Sequence, residues 1–272
     1  MTQPAATQTK TRSRFAALGA VLIASLLTPI QNACAADWSE TNAQIYHGTG
    51  FRDPGNPENV SKTTVTLEHA SGYAYGRNYF FVDSYWPSSG NAPRTNNFYG
   101  EYYHYLSLSK VTGKQMSFGP VKDVNVTAGV NAGAATDGAG TRVLLYGLTL
   151  DLDVPGFKFL SVDVLRYDDR SHFLGNPGNL SPTMQITPVW NVPFSLGSAQ
   201  FAFTGFCDFI GSRGQGTSRQ TLCQPQLRLD VGNFFGRKDA VYVGTEYQYW
   251  HNKFGMAGLN EHFANLWVGV KF

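Results

Sequence analysis

Past residue 35 the sequence holds no apolar run close to eighteen residues, which excludes a membrane-spanning helix there. Only Cys207 and Cys223 remain beyond that point, too few for a cysteine metal cluster, and the histidines show no HExxH or other paired spacing. No GxSxG elbow marks a hydrolase nucleophile, and the glycines of "GAATDGAGT" open no helix that could cradle a phosphate. No metal, cofactor or catalytic residue is therefore expected. Charge is sparse as well, at 15% of residues. The formal net charge of +2 comes from Lys10, Arg12 and Arg14, which no acidic residue accompanies. Without that segment the chain is nearly neutral, so no nucleic-acid partner is expected.

What the front of the chain does contain is a basic start, the apolar stretch "FAALGAVLIASLL", and small residues at Ala33 and Ala35. This is the pattern of a secretory signal, with cleavage expected after Ala35. The expected organisation is a signal peptide over residues 1–35 and one domain over 36–272.

The remaining chain alternates. In "RVLLYGLTLDLD", Leu144, Tyr146, Leu148, Leu150 and Leu152 share one face, while Gly147, Thr149, Asp151 and Asp153 share the other. "FLSVDVLRY" repeats the pattern, with Leu160, Val162 and Val164 opposite Ser161 and Asp163. A helix would space its apolar residues at three and four, so period two predicts strands. Twelve follow: 41–51, 62–73, 77–86, 97–108, 121–131, 141–154, 157–168, 181–192, 199–210, 219–231, 239–250 and 262–272.

An even strand count, with apolar-out and polar-in alternation, suits an all-β transmembrane antiparallel barrel. With the amino terminus periplasmic, the outer loops fall at "RDPGNPENVS", "PSSGNAPRTN", "AGAATDGAG", "DRSHFLGNPGNL", "GSRGQGTS" and "HNKFGMAGLNE", all rich in turn formers. Most periplasmic turns are shorter, such as "PG" at 155–156; "SKVTGKQMSFGP" at 109–120 is the long exception. A secreted sandwich also alternates, but its dry core could not accept acids and amides in strand after strand. Aromatics near strand ends, as in "SYW" and "QYW", fit interfacial girdles. The closing "ANLWVGVKF" places Ala264, Leu266, Val268, Val270 and Phe272 on one face, up to an aromatic last residue. Those side chains are expected to meet lipid, with Asn265, Trp267, Gly269 and Lys271 turned inward.

"YLSLSKVTGKQMSFGPVKD", residues 105–123, resembles the matching segment of the Tsx-type nucleoside-specific outer-membrane channels. There a strand ends in a Ser–x–x–Lys-like turn followed by Ser–Phe–Gly–Pro. "LTLDLDVPGFKFLSVDV", "FAFTGFCDFIGS", "YQYWHN" and "WVGVKF" resemble further landmarks of that family in the same order. The resemblance implies a monomeric twelve-stranded barrel in outer-membrane lipid, with a narrow lumen that passes nucleosides by diffusion. It also implies insertion by the barrel assembly machinery through the strand ending at Phe272, and some members serve as phage receptors. Tyr103 and Tyr105 depart from the family segment, which carries charge at those positions.

The inward parity assigns Tyr79, Phe81, Asp83, Glu101, Tyr103, Tyr105, Asp163, Phe206, Asp208, Arg228, Glu246 and Trp250 to solute binding in the lumen, with Asp151 and Gln248 on the same side. A nucleoside asks for flat faces beneath its base and for acceptors around its ribose hydroxyls, and these residue types supply both. The other reading of the same set is mechanical, with Arg228 and the carboxylates pairing across the barrel and the tyrosines filling space. Cys207 and Cys223 flank one outer loop with the same facing, so a disulfide is expected in an oxidising compartment. The expected solute is a nucleoside or a similar small aromatic molecule, and the competing functional classes are a surface receptor or structural barrel without solute flux and, more remotely, an outer-membrane hydrolase.

Overall fold

The computed structural model describes residues 36–87, 96–135, 140–172 and 180–272, with the backbone alone at 96 and 97. The expected signal segment lies outside the described residues, as do the tips of three predicted outer loops. In chain order the strands are β1 (Trp38–Arg52), β2 (Asn59–Tyr73), β3 (Gly76–Pro87), β4 (Asn96–Ser107), β5 (Val121–Ala135), β6 (Gly140–Leu152) and β7 (Phe159–Asp169). β8 (Thr183–Leu196), β9 (Ala199–Ile210), β10 (Gln220–Cys223), β11 (Gln226–Asp230), β12 (Val241–His251) and β13 (Glu261–Lys271) follow. Every neighbouring pair is antiparallel, and β13 pairs with both β12 and β1, so the sheet closes on itself. Closure leaves no edge with unpaired backbone groups, the condition for a sheet to cross lipid.

The barrel has twelve strands because β10 and β11 are two halves of one. Both pair with β9 on one side and β12 on the other in an unbroken register. The interruption is Gln224–Pro225: proline has no N–H to give the ladder, while its carbonyl still accepts from Tyr247 at 2.9 Å. Opposite it, Gly205 takes φ 149°, and an added Cβ would lie 2.6 Å from the Gln224 carbonyl oxygen and 2.8 Å from Pro225 Cα. The proline and the glycine are thus a matched pair across the ladder.

Alternation decides which face meets lipid. Ile45, Val65, Leu144, Leu148, Ile186, Leu266, Val268 and Val270 are exposed on the outside. Between them Asn125, Thr127, Thr149, Asp163, Gln185 and Asn265 are buried inside. The closing strand follows its expected facing, with Leu266 at 72% and Asn265 at 3% exposure. Two expectations are corrected. The interior is not uniformly polar: Val143, Leu145, Leu165, Tyr167, Tyr103, Tyr105 and Ile210 pack into one inward apolar cluster. The aromatic pairs near strand ends split, because adjacent residues must take opposite faces. Trp86 and Tyr249 are exposed outside, whereas Tyr85 donates to the inward Asp83 and Trp250 to the buried Gln220.

The long turn at 109–120 is built. α1 (Leu108–Thr112) starts on Ser107, whose Oγ accepts from Lys110 N, and ends at left-handed Gly113. Asp123 on β5 gathers the start of this turn by accepting from Ser107 Oγ at 2.5 Å, Ser109 Oγ at 2.6 Å and Ser109 N. The "SFGP" end is a tight reversal in which Phe118 and Val121 exchange two backbone hydrogen bonds of 2.9 Å around Gly119 at φ 52°. That conformation favours glycine, so a tight turn accounts for this motif.

Candidate functional site

The strand register puts all twelve residues assigned to the lumen on the inward parity. They fall into three tiers.

At the short-turn end, Arg77 forms a bidentate pair with Asp151, at 2.7 and 2.8 Å, and its guanidinium covers the Tyr105 ring at 4.3 Å. Asn125 also donates to Asp151, at 2.9 Å. Arg228 lies over the Tyr242 ring at 5.3 Å. Among the described residues Arg228 forms no ion pair, so the expected bracing of the wall falls to Arg77, which the sequence reading did not single out. Its position, two residues before Tyr79 and on the same face, was the available signal.

The middle tier holds the acids. Asp83 accepts from Thr66 at 2.6 Å and from Tyr85 at 3.0 Å; Glu101 accepts from Tyr99 and, at 2.9 Å, from Asn131. Asp208 accepts from Thr187 at 2.6 Å and Gln185 at 3.1 Å; Glu246 accepts from Gln226 at 2.8 Å and Asn265 at 3.0 Å. Asp163 accepts from Thr149 at 2.7 Å and Tyr105 at 3.5 Å, and Glu68 accepts from Asn42. Every one of these donors is neutral. None of the six carboxylates belongs to an ion pair among the described residues.

Exposure separates the aromatic residues. Tyr103 and Tyr105 are buried, stacked on each other at 6.1 Å within the apolar cluster. Tyr79, Phe81 and Phe206 are only half-buried, with Tyr79 packed against the same cluster. Tyr79 and Phe81 sit 6.3 Å apart, and Phe81 and Tyr99 6.0 Å apart. On β3 the inward order is Tyr79, Phe81, Asp83; on β9 it is Phe206, Asp208. Aromatic faces and carboxylates are therefore inward neighbours on the same two strands.

The loop end forms the third tier. Lys253 donates to Glu261 at 2.5 Å and to the Arg52 carbonyl at 3.0 Å, and lies over both Trp250 and Phe254. Lys62 pairs with Asp53 at 2.6 Å. Arg213, from the loop after β9, pairs with Asp169 at the end of β7 and donates to the Phe254 carbonyl at 2.5 Å. Trp250 belongs to this tier, edge-on to Phe254 at 4.9 Å. Residues 252–255 thereby form a strap tied to β1, β7 and β13. Lys253 and Arg213 come from loops, where alternation assigns no facing, and so escaped the sequence reading.

Cys207 and Cys223 are Cα partners across β9 and β10 and are joined by a disulfide with S–S 2.13 Å. Cys207 lies between inward Phe206 and Asp208, so the bridge faces outward, away from the lumen. No group of three or more metal-binding side chains occurs among the described residues.

A closed twelve-stranded antiparallel barrel with an apolar outer face and a charged interior is an outer-membrane barrel. Residues 35–269 match the family described as nucleoside-specific channel-forming protein, Tsx; the chain belongs to it, and the family match makes the barrel a channel. Among solved structures it is similar to the KdgM porin, at 10% identity over 86% of this chain and 99% of that one, with a TM-score of 0.44. It is also similar to the NanC porin, at 11% over 86% and 100%, with a TM-score of 0.48. A third likeness is to the translocator domain of autotransporter NalP from Neisseria meningitidis, at 12% over 96% and 97%, with a TM-score of 0.42. No curated protein matches the chain.

Proposed function

We propose that this channel passes nucleosides, as a monomeric barrel in outer-membrane lipid inserted through the strand ending at Phe272. The observation that carries the solute reading is the placing of half-buried rings next to carboxylates on the inward faces of β3 and β9. A base laid on Phe81 or Phe206 brings its ribose hydroxyls within reach of Asp83, Glu101 or Asp208, which can accept from them. Tyr103 and Tyr105 support this surface from behind, because the Tyr105 face is already covered by Arg77. Stacking of this kind is worth about 1 to 3 kcal/mol per base, and binding that weak lets the solute leave again.

Adenosine added to single channels in planar bilayers is expected to reduce the current in a saturable manner. Removing one ring, in Phe81→Ala or Phe206→Ala, should raise the half-blocking concentration roughly 5- to 150-fold, the factor matching that stacking energy. Heat-dependent migration in gels checks that each variant still forms its barrel. If millimolar nucleosides leave the current of the wild-type channel unchanged, the solute is of another class.

A further inference from the structure

The middle tier has more acceptors than its neighbours can satisfy. Asp83, Glu101, Asp208 and Glu246 take only neutral donors and form no ion pair among the described residues. Of the described basic side chains of the interior, Lys62, Lys253 and Arg213 are engaged at the loop end and Arg77 at the turn end, where Arg228, over the Tyr242 ring and near Glu68, is the one cation outside an ion pair. Gln185, only 3% exposed, gives both of its N–H groups to this belt, one to Thr187 and one to Asp208. Its Oε1 is left with no partner. The belt therefore offers carboxylates with no paired cation and an amide oxygen with no donor, and Phe81, Tyr79, Tyr99 and Phe206 place aromatic rings beside it.

Carboxylates flanked by ring faces form a binding environment for an alkylammonium group, which gains from both. A neutral hydroxyl gains less, and a carboxylate or phosphate is repelled. The geometry points to the middle of the lumen as an organic-cation site, so that the channel admits amines carrying a positive charge and turns back anions of the same size. This inference does not depend on the nucleoside reading, since a nucleoside such as adenosine is uncharged at neutral pH.

Benzylammonium, benzyl alcohol and benzoate share one ring and differ in charge, so they isolate the effect. In planar bilayers benzylammonium should half-block the intact channel at a concentration about tenfold below that for benzyl alcohol, with benzoate the weakest of the three. Asp83→Asn, Glu101→Gln and Asp208→Asn, made singly and together, should erode that preference, while Glu58→Gln on the outer loop should leave it intact. The wild-type channel alone supplies a second readout: under a KCl gradient its reversal potential should have the sign of cation selectivity. Equal block by all three compounds, an anion-selective or unselective reversal potential, or a preference that survives loss of all three acids would overturn the proposal. Adenosine block on the same channels reports the nucleoside reading separately.

Discussion

Replacing Arg213 by glutamine is expected to raise single-channel conductance, by roughly twofold or more, while the barrel itself still forms. Arg213 is 2% exposed and is the only described side chain that joins the end of β7 to the strap after β12, through Asp169 and the Phe254 carbonyl. The strap has a conformational reason to leave: Asn252 and Phe254 are both held at positive φ, 50° and 59°. Non-glycine residues in that region cost of order 1 to 3 kcal/mol each and persist only where contacts hold them. Glutamine removes the charge that neutralises Asp169 and cannot reach both partners, and losing one member of a buried pair costs about 3 to 5 kcal/mol. That is enough to release a strap but not to dissolve a twelve-strand ladder. Lys253→Gln should act in the same direction, and the double variant should gain less than the sum, because both residues hold the same segment. An unchanged conductance in a folded Arg213→Gln channel would remove the strap from the permeation path.

Gly205→Ala should do the opposite kind of damage, leaving the lumen chemistry untouched and failing in assembly. The added methyl meets two backbone atoms, the Gln224 carbonyl oxygen and Pro225 Cα, and then the Trp190 ring at 3.0 Å. Backbone cannot swing aside as a side chain does. Strain at φ 149° and overpacking each cost on the order of 1 to 3 kcal/mol, so the unfolding midpoint in urea should fall by the equivalent of about 3 kcal/mol or more. Alanine is the smallest substituent available, and larger residues should leave no heat-modifiable band. A midpoint equal to wild type would mean that β9 can shift away from Pro225 without cost.

Much of this barrel could be read from period two alone. β9 occupies the expected residues 199–210, and the inward parity of all twelve lumen residues follows from alternation. The misreadings share a physical origin in contacts between strands. Period two ends the eighth strand at 192, before Pro193. Instead it continues to Leu196, since Phe194 and Phe201 stack at 5.3 Å across the pair and only Gly197 and Ser198 are left to reverse the chain. Leu145 and Leu165 point inward against the rule because the lumen wall there packs on itself, and alternation cannot distinguish a filled wall from a wet one. The strap is illegible in the sequence for a different reason: loops have no parity, so alternation gives no sign that Lys253 and Arg213 are buried.

The partnership of Asn42 with Lys271, and of Tyr46 with Trp267 in the same register, also bears on how fast the barrel can form. Hairpins between consecutive strands close over short spans, but the β1–β13 seam joins residues more than two hundred positions apart, the slowest class of contact to find. Until that seam zips, Trp267 lacks Tyr46, whose ring it meets at 5.7 Å, and Lys271 lacks Glu40, 2.9 Å away in the finished wall. The local environment of one indole thus distinguishes an open, hairpin-rich sheet from a sealed cylinder, and its fluorescence times the sealing step of folding apart from everything that precedes it.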